Sequence, residues 1–337
     1  MTAPQTELAP PSPQDARARL VRVMMASSEL AARILDEVER AVVGKRPQLE
    51  LILAGLLADG HVLLDDLPGV AKTLTARSIA TAAGLTFSRV QFTPDVLPSD
   101  ITGATVLDLA TNVPVFRAGP VFAQLVLADE INRAPAKTQA ALLEAMQERQ
   151  VTADGATHRL PKPFLVVATE NPVESEGTYP LPEAQLDRFL LRARLGYPER
   201  DDEVELLRRR IERRTDSVPI GPVTDPNGFV TIQQAAEHVH VHPALVTYIV
   251  DLVTATRDEP ELEVGASPRG SLALLKLSRA FALLAGRDFV TPDDIRAIAL
   301  PALGHRVVLT SEAWARRLPP EDVVQRALDT VPTPSWH

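Results

Sequence analysis

The chain has 337 residues, 45% hydrophobic and 23% charged, with a net charge of −9 and no cysteine. That length buries a large core and suits two domains, and the missing cysteines exclude disulfides and thiolate metal sites and fit a reducing compartment. An acidic balance with only 4% aromatics argues against nucleic acid as the main ligand, since phosphate neutralisation needs a basic surface and single strands need stacking rings.

Residues 1–11, with Pro4, Pro10 and Pro11, read as flexible. They hold no apolar signal-peptide core, and apolar runs such as Leu51 to Ala58 are too short for a membrane span. A cytoplasmic protein without membrane insertion is the expectation. Ser12-Pro13 reads as a helix start, with one helix expected through Met24 and another from about Ser28 to Val42. Val43-Gly44-Lys45 then separates these from an amphipathic run, Gln48 to Leu57.

Val62 to Leu64 reads as a buried strand, followed by a turn at Pro68-Gly69 and by an Ala/Leu-rich helix opening at Lys72-Thr73. Strand, glycine-containing loop, Lys-Thr and helix make a phosphate cradle. Loop amides face the anion, the lysine reaches the β/γ-phosphates and the threonine hydroxyl can hold Mg²⁺. The literal pattern G-x-x-x-x-G-K-[ST] fails at Asp66 and at Ala71. Ala71 is a mild change at negative φ and a strained one at positive φ.

A second strand is expected over Thr86 to Phe92 and a small hairpin over 104–118. Phe122 to Ala128 reads as a third strand, Ala136 to Gln147 as a helix, and 151–157 as a hairpin turning at Asp154-Gly155. Phe164 to Ala168 and Phe189 to Leu195 are the fourth and fifth strands. Strands alternating with helices predict an α/β fold with a parallel sheet covered on both faces. Asp201 to Arg214 runs from acidic to basic, which suits a helix dipole. Residues 215–229 read as a linker, and helices over Pro243 to Arg257, Ser271 to Ala285 and Thr291 to Leu300 as a small all-helical second domain. The expected division is 1–27 for the N-terminal segment and helix, 28–214 for the core, 230–310 for the helical lid and 311–337 for the tail.

Four downstream features fit one chemistry. Asp129-Glu130 ends an apolar strand in two carboxylates: Asp129 would hold the Mg²⁺ bound by Thr73, and Glu130 would polarise the attacking water. Asn171, just past another strand, could orient the water or the γ-phosphate, or could simply open a turn before Pro172. Arg188 precedes the fifth strand, where it could pair with Asp187 or Glu183 or reach a neighbouring subunit's γ-phosphate. Arg269 opens a helix in the second domain, where it could fold back onto the nucleotide. His238, His240 and His242 alternate, but with only Glu237 nearby an exposed trio is favoured over a metal site.

Together these residues resemble the MoxR family of AAA+ ATPases, from about Val43 to Leu303. The carrying phrases are Gln91 to Asp95, Leu97 to Gly103, Ala128 to Ala134, Leu142 to Met146, Thr169 to Pro172, Glu176 to Gln185 and Gly265 to Arg269. The resemblance implies a P-loop core with a helical lid, ATP and Mg²⁺ as cofactors, and a ring, typically a hexamer. It makes Val43, Gly44, Pro68, Gly69, Val70, Ala71, Lys72, Thr73 and Leu74 the nucleotide-binding set. It also makes Asn171 sensor 1, Arg188 an arginine finger acting in trans, Arg269 sensor 2, and the 104–118 and 151–160 hairpins characteristic insertions. The implied biology is chaperone-like remodelling of partner complexes, often with von Willebrand factor A domains and sometimes with metal insertion. An ATP-switched scaffold with slow turnover and a nucleic-acid motor are the rivals.

Overall fold

A computed structural model describes residues 13–171 and 178–334. The flexible segment expected at 1–11, and the Pro172 and Glu176-Gly177 parts of the motifs, lie outside these residues. In chain order the core comprises α1 (Pro13–Glu39), α2 (Arg46–Leu57), β1 (Val62–Asp65), α3 (Lys72–Ala82), β2 (Phe87–Gln91), α4 (Pro98–Thr102), β3 (Gly103–Asp108), β4 (Val113–Ala118), β5 (Leu125–Asp129), α5 (Ala136–Glu148), β6 (Gln150–Ala153), β7 (Ala156–Arg159), β8 (Leu165–Glu170), α6 (Glu183–Leu186), β9 (Leu191–Ala193) and α7 (Arg200–Arg213). The second unit comprises α8 (Pro226–Glu237), α9 (Pro243–Asp258), β10 (Leu262–Val264), α10 (Pro268–Leu284), α11 (Pro292–Leu303), β11 (Val308–Leu309), α12 (Ser311–Ala315) and α13 (Pro320–Asp329).

The five core strands form one parallel sheet in the order β2-β5-β8-β1-β9. Alternate residues serve opposite faces, as the two-residue strand period requires. Leu63, Val126, Ala128, Val166 and Ala168 pack with Leu142, Leu143 and Met146 of α5. Val62, Leu64, Leu125, Leu127, Leu165 and Val167 pack on the other side with α1, α2 and α3, in a core continuous with the lid helices. Burial on both faces explains why these strands read as unbroken apolar runs.

Several expectations shift. The two N-terminal helices are one, because Ala26-Ser27-Ser28 holds neither Gly nor Pro and both serines are buried in the packed face. β5 starts at Leu125, since Gln124 is engaged by Thr86 instead: its N–H donates to Thr86 Oγ1 at 2.9 Å and its Oε1 accepts from Thr86 N at 3.1 Å. The stretch 215–229 is not linker throughout. Asp225 caps α8 by accepting from Gly228 N at 2.8 Å, and Pro226 occupies the first turn. The lid is helical apart from one antiparallel pair, β10 with β11, and an isolated parallel bridge between His240 and Phe289, and the 311–337 stretch contributes α12 and α13. No helix among the described residues is long and apolar enough to cross a membrane.

Candidate nucleotide site

β1, β5 and β8 end side by side at their carboxyl ends, where open parallel sheets place their ligands. The loop after β1 carries two left-handed residues, Gly69 at φ +84° and Ala71 at φ +64°. The second is the strained alternative, roughly 1–2 kcal/mol for an L-residue with a Cβ. That turn aims the first amides of α3 and Lys72 back across the sheet. Lys72 is buried, with Nζ donating to the carbonyls of Asp66 and, at 3.0 Å, Glu170. Burial lowers its pKa, against the opposing pull of Asp66, Asp129, Asp65 and Glu130.

Asp66 stands where the phosphate-loop pattern has its first glycine. Its buried carboxylate accepts three backbone N–H groups: Leu67 at 2.8 Å, Leu195 at 2.6 Å and Gly196 at 2.7 Å. The loop is thereby tied to the chain leaving β9. The Val43-Gly44 turn rests on the same segment, with Lys45 Nζ donating to Tyr197 O at 2.6 Å. Gly44, at φ +70°, lies so close to Asp202 that a Cβ would sit 2.0 Å from its Cγ. Pro68 and Leu74 are exposed at the edges of this cradle, and Val70 is buried under it.

Thr73 and Asp129 meet across the site: Thr73 Oγ1 donates to Asp129 Oδ2 at 3.3 Å. The other oxygen, Oδ1, accepts from Thr169 Oγ1 at 2.7 Å, and Arg89 Nε donates to Oδ2 at 2.9 Å. A hydroxyl and a fixed carboxylate beside a phosphate cradle are the oxygen donors that Mg²⁺ takes, so the residues fit that ion. Glu130 follows in the left-handed region at φ +58°, with its N–H donating to Thr169 Oγ1 at 2.8 Å. Strained positions of this kind gather at functional sites. Its Oε2 accepts from Gln91 Nε2 at 2.9 Å and from Arg133 at 3.1 Å. Asn171 is buried immediately beyond β8. Glu170, beside it, has its pKa pushed up to about 7 by burial and by Asp65, against Arg192 and Lys72.

A model of the ATPase family associated with various cellular activities matches residues 61–191, and an AAA lid model matches 254–327. The uncharacterized protein YeaC of Bacillus subtilis is 46% identical over 90% of this chain and 95% of its own length. Chaperone MoxR1 of Mycobacterium tuberculosis is 46% identical over 90% of this chain and 82% of its own. The chain belongs to the MoxR family of AAA+ ATPases. A crystal structure of a candidate ATPase from Cytophaga hutchinsonii superposes with a TM-score of 0.87 at 37% identity, covering 96% of this chain and 99% of that one.

In this MoxR-family chain Arg188 and Arg269 lie away from Lys72. Both line a cavity at the amino ends of the strands, with Gly60 and His61 before β1 and Leu190 before β9. Arg269 therefore does not fold back onto its own chain's phosphate loop, as one sequence reading allowed. The lid helix α10 lies over the opposite end of the sheet, and Arg269 sits 3.7 Å from Asp187. Asp187 also does not pair with Arg188. It accepts from Arg306 Nε at 2.9 Å and from Ser267 Oγ at 3.2 Å, both in the lid. The three histidines are exposed, and no cluster of three or more His, Asp or Glu side chains placed to hold a metal occurs among the described residues. Sequence reading missed Asp66, Arg89, Gln91, Thr169 and Arg306. Asp66 had a signal, the departure from the loop pattern, and Gln91 and Thr169 stood in family phrases without a role, whereas Arg89 and Arg306 are ordinary arginines until the fold brings them to Asp129 and Asp187.

Proposed function

We propose that this protein hydrolyses ATP with Mg²⁺ in a ring of identical subunits and uses the cycle to remodel partner proteins. The observation carrying this reading is the separation of two sets. Lys72, Thr73, Asp129, Glu130 and Asn171 gather at one end of the sheet, while Arg188 and Arg269 face solvent space at the other. Lys72 holds the β/γ-phosphates and Thr73 with Asp129 would hold the metal, which supplies charge neutralisation at the transferring phosphoryl group. Glu130 takes the proton of the attacking water, and Asn171 orients that water. Arg188 and Arg269 complete the site of the adjacent subunit.

Several features support a protein client. The hairpin of β3 and β4 exposes Leu107, Leu109, Val113 and Val115, the apolar surface an interaction site uses. A chaperone-named relative points the same way, and partners with von Willebrand factor A domains are the class the family resemblance suggests. The acidic balance disfavours a nucleic-acid motor, and the cytoplasm is the proposed compartment. One observation favours a slower, ATP-switched scaffold: Glu130 is held by Gln91 and Arg133, contacts that must yield before it serves a water. ATPase rates with and without a client separate the two.

The test of the shared site mixes two variants. Arg188→Ala should keep ATP affinity yet lose at least ~100-fold in turnover, less than the roughly 10³–10⁵ that such a group supplies elsewhere, as a slow ATPase would show. Adding inactive Lys72→Ala subunits should restore part of the rate, rising with protein concentration. Mixed rings that form but stay inactive would overturn the reading.

A further inference from the structure

The cavity holding Arg188 and Arg269 has a volume of about 280 Å³ and lies between the core and the lid. It contains more positive charge than the shared-site reading uses. Arg149, Arg306 and Lys276 also line it, against two carboxylates, Asp59 and Asp187. Both acids are already engaged. Arg149 pairs with Asp59 at 3.2 Å, and Arg306 and Arg269 pair with Asp187 at 2.9 and 3.7 Å. Neither Lys276 nor Arg188 has an ion pair among the described residues. His61 adds no charge: Nδ1 accepts from Val166 N at 3.0 Å, and burial, with Arg149 and Lys276 nearby, pushes its pKa down to about 3.

Lys276 is half-buried on α10, seven residues after Arg269. Two helical turns separate them, so both project from one face, with Leu272 and Ala273 between them lining the same cavity. A half-buried ammonium without a counter-ion, beside two unspent guanidinium charges, is unfavourable unless an anion enters. The chain's own phosphate loop lies at the far end of β1, about 13 Å of strand away, so the anion comes from outside the subunit.

We propose that Lys276 is a third cation, with Arg188 and Arg269, that grips the terminal phosphate of a nucleoside triphosphate bound to an adjacent copy of this chain. This rests on the shared-site reading above. An ammonium is a mobile point charge that can follow the terminal phosphate while the planar guanidinium groups fix its orientation. Leu272, 58% exposed at the cavity mouth, supplies apolar contact to the adjoining copy.

The experiment compares Lys276→Ala and Lys276→Arg with Arg188→Ala in the full-length protein. Lys276→Ala should lower turnover at least ~10-fold, short of the roughly 10²–10³ for removing one preorganised donor at a transition state, with the ATP affinity of the unassembled subunit unchanged. Lys276→Arg should recover part of it, which also controls for folding. Mixing Lys276→Ala with Lys72→Ala subunits should restore hydrolysis as the Arg188→Ala mixture does. Ring assembly of Lys276→Ala should weaken with a non-hydrolysable ATP analogue and not with ADP. Wild-type turnover in Lys276→Ala would overturn the proposal. So would a Lys276→Ala mixture that stays inactive while the Arg188→Ala mixture recovers, since Lys276 would then act only within its own subunit. Equal weakening of assembly with both nucleotides would assign Lys276 to a carboxylate of the neighbour and overturn it as well. If neither mixture recovers in rings that form, the shared-site reading fails and takes the proposal with it.

Discussion

At the carboxyl ends of the strands Lys72 lies among Asp65, Asp66, Asp129, Glu130 and Glu170, whereas at the amino ends Arg149, Arg188, Arg269, Lys276 and Arg306 outnumber Asp59 and Asp187. Both ends shift a buried neighbour, in opposite directions. Glu170 is pushed up to about 7 by burial and by Asp65, and His61 down to about 3 by burial, Arg149 and Lys276. One sheet thus keeps an acid-rich and a base-rich cluster apart by a strand's length. Arginines temper the first, Arg89 at Asp129, Arg133 at Glu130 and Arg192 at Asp65, while in the second Lys276 and Arg188 have no ion pair among the described residues. In the proposed ring, head-to-tail contact would bring the two ends together. The two ends also differ in how they are built. The carboxyl end is held by short-range strand ends and loop amides, the amino end by the lid.

Four substitutions break or sharpen that contrast. The largest effect is expected at the carboxyl end from Lys72→Ala, which removes the cation aimed at the β/γ-phosphates. ATP affinity should fall by at least ~100-fold, the scale of a buried charge-assisted contact, as titration calorimetry would show. Wild-type affinity would move the nucleotide elsewhere.

At the amino end Arg306→Ala should loosen the lid. Arg306 is buried and donates to Asp187 Oδ1 at 2.9 Å, Phe189 O at 2.7 Å and Leu190 O at 3.2 Å. Removing one partner of such a pair leaves Asp187 and these carbonyls short of donors, for a loss of roughly 3 kcal/mol. Denaturant unfolding would measure it, and nucleotide affinity in the folded protein should change far less.

Glu170→Gln tests the crowding of acids. A carboxyl whose pKa is raised on folding keeps its proton in the folded chain after the unfolded chain has lost it. Stability therefore falls as pH rises from the ordinary glutamate value of 4.5 to about 7, and stays lower above that. The glutamine variant should lose this slope and be more stable at pH 8, by on the order of 3 kcal/mol at most. Parallel pH profiles for the two proteins would remove Glu170 from the electrostatic contrast.

The smallest change is Ala71→Gly. Glycine relieves the left-handed strain at φ +64°, while its greater freedom in the unfolded chain offsets part of the gain. Thermal unfolding should show a net stabilisation of no more than about 1 kcal/mol. A destabilised variant would mean that the methyl group packs favourably enough to outweigh the strain.

Much of the fold was legible because its signals are local. Buried strands appear as the apolar runs 62–64, 125–128 and 165–168, and Thr291-Pro292-Asp293 announces α11, which the structure closes with a capping box between Thr291 and Asp294. The end of one helix inside a longer one was not legible, since Ala26-Ser27-Ser28 breaks the pattern without breaking the backbone. The start of α8 was masked by the prolines around it, though Asp225-Pro226 is itself a cap signal.

The sequence by itself determined the phosphate loop, the paired carboxylates after β5 and the polar exit of β8, because strand, turn and helix signals act over neighbouring residues. Tertiary structure alone decided which of these side chains meet. Thr73 and Asp129 stand 56 positions apart and lie 3.3 Å apart, a proximity fixed by the strand order β5-β8-β1. It also decided that Arg269 faces Arg188 and not Lys72. That placement follows from how the apolar faces of α8 and α10 bury against α1 and α2, a long-range packing choice that no local run of residues encodes.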